Sequence, residues 1–147
     1  MVVIQNSIFD DSINEKKLAD TLQKITDDLG KSGELLIRLV NISEIRSLNK
    51  TYRHKNQATN VLSFPSELPK EITEIIFGDV VVCVEVVRKE AKAQGKTFEN
   101  HLLHICIHGT LHLFGYDHIE ESDAQKMENL EIKILHKLGI KNPYTNL

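Results

Sequence analysis

The chain has 147 residues, 41% of them apolar and 27% charged, with a net charge of -3 when histidine is neutral. That length predicts one globular domain spanning 1–147, able to bury roughly 68–70% of its unfolded surface. The mild acidic balance excludes a generally polybasic surface but not a local basic groove. No apolar run approaches the ~20 residues of a membrane span, and MVVIQNSIFDD has neither a basic leader nor a small-residue cleavage site, so a cytoplasmic protein is expected.

In chain order, residues 2–9 (VVIQNSIF) predict a first strand. Ser12 and Glu15 have capping-box spacing, and Leu18, Leu22, Ile25 and Leu29 recur at helical period until Gly30. ELLIRLV at 34–40 predicts a strand. Ser43 is placed to cap a short helix with Ile45, Leu48 and Tyr52 on its inner side. A polar loop, RHKNQATN, covers 53–60; VLSF at 61–64 reads as a strand and PSELPK at 65–70 as a proline-bearing loop. TEIIFGDVVVCV at 73–84 is β-rich, interrupted by Gly78-Asp79, and 85–94 turn helical up to Gly95. Thr97 caps a histidine-bearing helix that ends at Gly115. Ser122 and Gln125 open a last helix with Met127, Leu130, Ile134 and Leu138 inward, closed by Gly139. Its acidic residues Glu120, Glu121, Asp123, Glu128 and Glu131 are expected on an exposed face. The result is an α+β fold: a small, mixed, four-stranded sheet with four to five helices, since strands and helices mix without strict alternation. Cys83 and Cys106 sit in apolar runs without a CxxC spacing and read as reduced core residues.

Five of the seven histidines fall within 101–118, and His101, His104, His108 and His112 share one stripe of one helix. A helix rises ~1.5 Å per residue, so side chains eight positions apart cannot both lie ~2.0–2.1 Å from one ion. His104, His108 and His112 are therefore not a ligand trio. An i, i+4 pair can chelate, and HLFGYDH supplies a turn at Gly115 that returns His118 to His108 and His112. Three neutral imidazoles leave a fourth position open, the pattern of a catalytic zinc-type site. His101 and His104 read as supporting or packed residues, with His104 able to hydrogen-bond near the site. His54 and His136 read as solvated.

HGTLHLFGYDH has the spacing of the zinc-protease motif H-E-x-x-H-x-x-G-x-x-H. The protease's general base follows the first histidine, and that position is Gly109 here. Glycine cannot accept a proton and would leave open space beside the metal. Asp117 is the nearest carboxylate in sequence and is assigned an orienting or turn role.

The same segment resembles the signature H-G-x-L-H-L-x-G-Y-D-H of the YbeY family of bacterial rRNA maturation factors, with all nine specified positions met. LNKTYRHKNQATNVLSF at 48–64 resembles that family's L-N-x-x-Y-R…T-D-V-L-S-F block, and Phe77-Gly78-Asp79 its L-G-D-I element. Asn60 departs from the family's usual Asp and is left out of the catalytic set. The resemblance covers about 35–138. It implies a metal-dependent endoribonuclease that prefers single strands, acts in maturation of the 16S rRNA 3′ end and in ribosome quality control, and meets the ribosome or small-subunit proteins. It also implies a catalytic role for Arg53, the arginine of the Y-R pair.

The residues support such chemistry independently. A metal polarises phosphoryl oxygens and lowers the pKa of water, and a guanidinium stabilises the same developing charge. Within 44–60, Arg46, Lys50, Arg53 and Lys55 against Glu44 leave +3, in contrast to the whole chain. Lys50 and Lys55 are candidate phosphate contacts. One zinc ion per chain is expected, although other divalent transition metals suit the same ligands. Competing readings are a zinc hydrolase acting on peptides and a non-catalytic, zinc-containing assembly factor.

Overall fold

The structure is a computed structural model that describes residues 1–67, 69, 71, 76–116 and 120–144. It has the expected α+β architecture. The strands are β1 (Val2–Asn6), β2 (Glu34–Val40), β3 (Val61–Pro65) and β4 (Ile76–Cys83). The helices are α1 (Glu15–Asp28), α2 (Ile42–Arg53), α3 (Val84–Gln94), α4 (Phe98–Leu113) and α5 (Glu121–Lys137). The sheet order is β1-β2-β4-β3; β1, β2 and β4 run parallel and β3 antiparallel to β4.

Strand periodicity divides the core between the two faces of the sheet. Leu35, Ile37, Leu39, Val80 and Val82 point to one face and pack with residues of α1, α3, α4 and α5. Val40, Leu62, Val81 and Cys83 point to the other and meet Ile45 of α2. From Val80 to Cys83 every side chain of β4 is buried, which is why its sequence reads as an unbroken apolar run. Helix α4 is enclosed as well: His101, Leu102, His104–Ile107 and Gly109–Leu111 are buried along it. Among the described residues no helix is long and apolar enough to cross a membrane.

Several local expectations shift. Strand β1 stops at Asn6, whose amide donates to the Asp10 carbonyl at 2.9 Å and turns the chain. The caps of α1 and α2 are Asn14 and Asn41, not Ser12 and Ser43. The Asn14 and Asn41 side chains accept from the Lys17 and Glu44 N–H groups, while Ser12 is held by Asp10 and Ser43 lies inside the first turn of α2. Helix α5 starts ahead of Ser122, after Glu120, without a side-chain cap. Thr97 caps α4 as expected. Gly78 does not interrupt β4: at φ +136° it stays in the ladder, and a Cβ there would stand 2.2 Å from the Phe64 carbonyl oxygen. Leu138 and Tyr52, expected inward, are 38% and 57% exposed. Both cysteines are free and buried, and burial pushes the Cys106 thiol up to about 12.

Gly109 sets the distance between α4 and the sheet. A Cβ at this position would lie 2.6 Å from Val80 Cγ1, 3.0 Å from Val61 Cγ2 and 3.2 Å from Ser63 Oγ. The Ser63 hydroxyl donates to the Gly109 carbonyl at 2.8 Å across the same contact. The expected open space beside Gly109 is thus filled by β3 and β4. Gly109→Ala should gain about 1 kcal/mol of helix propensity yet lose more to overpacking, for a net loss of about 1–2 kcal/mol. Urea unfolding measures this, and a midpoint at or above that of the wild type would show that the strands yield.

Candidate functional site

Helix α4 places His108 and His112 one turn apart, both partly buried. Their Nε2 atoms stand 3.2 Å from each other. Two nitrogens bound tetrahedrally to one zinc-sized ion lie about 3.3–3.4 Å apart, so the pair has the spacing of a shared ligand set. His118 and Asp117 lie outside the described residues. Among those described, no group of three or more His, Cys, Asp or Glu side chains is gathered for a metal.

The orientation of His108 is set from α5. Its Nδ1 donates to Glu131 Oε1 at 2.6 Å, which leaves the Nε2 lone pair directed at His112. The other carboxylate oxygen of Glu131 accepts from His104 Nε2 at 2.8 Å and from the Tyr144 hydroxyl. Glu131 is wholly buried, contrary to its expected place on an exposed acidic face. Burial alone would raise its pKa, but hydrogen bonds from His104, His108 and Tyr144 outweigh it and hold the group at about 2. A buried carboxylate behind an imidazole that faces a metal position is the usual means of fixing a ligand's tautomer and angle. The sequence did carry a signal: Glu131 lies four residues after Met127 and three before Ile134, on the apolar stripe of α5. Tyr144, beyond the last helix, had none.

His104 therefore points to Glu131, a supporting position as expected. Its Nδ1 is buried without a hydrogen-bond partner among the described residues. His101 pairs through Nε2 with Glu90 Oε1 at 3.0 Å. Burial keeps its pKa below the ordinary histidine value despite that carboxylate. Asn60 meets the same Glu90, its amide nitrogen donating at 3.2 Å and 3.4 Å to the two carboxylate oxygens. The amide's donor is what this contact uses, and a carboxylate in its place would not supply one.

A cleft of about 480 Å³ runs over the outer edge of β3 and is lined by Arg53, Thr59, Asn60, Val61, Leu62, Ser63, Pro65, His108 and His112. Arg53 ends α2, on the far face of the sheet, and reaches this edge by donating from Nη2 to the Ser63 carbonyl at 3.0 Å. Nη1 donates to the Tyr52 carbonyl at 3.2 Å. The turn that follows is fixed by His54 at φ 59° and by buried Asn49, which donates to the Gln57 carbonyl at 2.9 Å. The structure thus brings Arg53 and the histidine pair to one cleft. Lys50 and Lys55 are exposed and do not line it, and His54 and His136 are exposed as expected.

A family model described as endoribonuclease YbeY matches residues 3–139. Relatives named endoribonuclease YbeY from Ruthia magnifica and Vesicomyosocius okutanii are 62% and 59% identical over 145 residues, 98% of this chain and 100% of theirs. One of the same name from Pseudomonas putida is 54% identical over 114 residues, 77% of this chain and 73% of its own. The solution structure of TM1509 from Thermotoga maritima is similar with a TM-score of 0.63 at 27% identity, over 99% of both chains.

Glu131→Gln keeps the size of the side chain but cannot accept from all three partners. It should cost on the order of 2–3 kcal/mol of stability and weaken metal binding by about 10–100-fold. Thermal melts with and without chelator and competition against a zinc indicator measure the two effects. Unchanged metal affinity would show that Glu131 does not hold His108 for a ligand.

Proposed function

The chain belongs to the endoribonuclease YbeY family and is an RNA-cleaving hydrolase, and from that premise we propose that it cuts single-stranded RNA at the β3-edge cleft with one divalent metal ion. Zinc is the first choice, held by His108, His112 and His118. The observation that carries this reading is the 3.2 Å separation of the His108 and His112 Nε2 atoms inside the cleft that Arg53 lines. The donor set fits such an ion, because Glu131 accepts a hydrogen bond from Nδ1–H of His108 and leaves Nε2 as the ligating atom.

A metal ion in this place supplies Lewis-acid polarisation of a phosphoryl oxygen and lowers the pKa of water towards about 7. The remaining work falls to the protein's own side chains. Arg53 uses two N–H groups on backbone carbonyls, which hold the guanidinium at the cleft and leave its others for phosphoryl oxygens. Charge gathering on those oxygens in the transition state is where such a fixed cation lowers the barrier. Glu131 fixes the tautomer and direction of the His108 ring. Lys50 and Lys55, exposed near Arg53 in sequence, add long-range attraction for a polyanion rather than contacts in the cleft. The nucleophile is either water or the RNA 2′-hydroxyl.

The peptide-hydrolase reading loses further ground, because the position of the protease base is occupied by a glycine pressed against Val80 and Val61. The motif blocks at 48–64 and 108–118 extend the proposal to the 16S rRNA 3′ end as substrate, ribosome quality control as role, small-subunit proteins as partners and the cytoplasm as setting.

Purified wild type, Arg53→Ala and His112→Ala should be compared on a defined single-stranded RNA together with their metal content. The wild type should hold near one metal per chain. Arg53→Ala should keep the metal and lose about 10²–10³-fold in kcat, whereas His112→Ala should lose both metal and activity. A wild type that cuts no faster than either variant sinks the proposal. Products ending in 2′,3′-cyclic phosphate would assign the attack to the 2′-hydroxyl, and their strict absence would assign it to water.

A further inference from the structure

Helical spacing puts Tyr52 on the inner side of α2, yet the residue is 57% exposed. Its ring stands edge-on against Phe64 of β3, with centroids 5.2 Å apart and planes at 69°. Phe64 also carries the guanidinium carbon of Arg53 5.2 Å from its ring centroid. Arg53 in turn donates to the carbonyl of Tyr52. The three side chains form one braced unit at the β3 edge, beside the cleft that Arg53 lines.

We propose that Tyr52, held against Phe64, is a stacking platform for an unpaired base of the RNA strand whose phosphate meets Arg53. The inference rests on the reading that RNA occupies this cleft. Tyr52 and Arg53 both reach the ring of Phe64, each at 5.2 Å, so a phosphate at one places a neighbouring nucleotide at the other. A phenol ring fixed by an edge-to-face contact loses little further freedom when a base covers its open face. Aromatic rings accept any base, because every base has a π-face, so the platform confers strand selectivity without sequence selectivity. In a duplex both faces of a base are already covered by its neighbours, and proteins that read RNA bases target single-stranded segments for that reason. Had Tyr52 served only to shield Phe64 from water, an aliphatic side chain would do as well, and this difference can be measured.

The chain contains no Trp, so Tyr52→Trp introduces a single fluorescent reporter at the platform. Its emission should be quenched by a single-stranded oligoribonucleotide. Quenching should be lost when one particular base is removed from the oligonucleotide and kept when others are. In steady-state cleavage, Tyr52→Leu, which still covers Phe64, should raise KM about ten-fold with kcat within about two-fold, and this penalty should vanish on the same abasic substrate. Thermal melts confirm that each variant is folded. Cleavage by wild type with Tyr52→Leu equal to it on every substrate, or emission from Tyr52→Trp that no RNA alters, overturns the platform and leaves the nuclease reading intact. Failure of the wild type to cleave any single-stranded RNA overturns both.

Discussion

The approach of α4 to the sheet at Gly109 is the constraint on which the rest of the structure depends. With hydrogen at that position, the helix backbone comes within hydrogen-bond reach of the Ser63 hydroxyl, and Val61 and Val80 fill the space a side chain would need. A helix seated this deeply is covered on nearly all sides, so its polar side chains meet protein rather than water. The low dielectric makes an unpaired polar group costly, and imidazoles on such a helix must be matched from neighbouring elements. Glu131 of α5 does this for His104 and His108, and Glu90 of α3 for His101.

This matching makes the site directional. A histidine facing solvent samples several rotamers and both tautomers. His108, clamped through Nδ1 by a carboxylate that three donors keep ionised, presents Nε2 in one direction. The position given up to glycine is the one that holds the catalytic carboxylate in the zinc-protease motif. The same residue that lets α4 lie on the sheet therefore keeps the site from the usual peptide-hydrolysing chemistry.

An edge strand explains why residues from opposite faces of the sheet meet. Among the described residues strand β3 pairs with β4 alone, so its outer edge exposes backbone carbonyls. Arg53 crosses from α2 to the Ser63 carbonyl, while His108 and His112 approach from α4 on the other face. In the middle of the sheet these groups would be separated by a full layer of side chains. The cleft is a property of the edge, and the anchored guanidinium covers part of an otherwise open ladder.

The sequence pattern was enough to place β2 and the apolar interior of β4, because buried parallel strands read as apolar runs, and to place α1 and α4 within a few residues. The i, i+4 spacing of His108 and His112 was likewise decisive, since helix geometry permits that pair to share an ion and forbids one eight residues apart. The capping rule failed where a nearer neighbour competed: Asp10 engages Ser12, and Asn14 caps α1. Glu131 and Tyr52 were misread in opposite senses for one reason. Hydropathy assigns a carboxylate to water and an aromatic ring to the core, but burial is settled by partners, and these lie far away in sequence. Glu131 is buried where His104, His108 and Tyr144 converge on it, and Tyr52 stays exposed while its ring meets Phe64 edge-on. The sequence by itself determined the elements and the one-turn spacing of His108 and His112, which are set by local geometry. Only the tertiary structure decided which carboxylate aims the histidines and which edge joins them to Arg53, because those contacts form where chain-distant elements pack together.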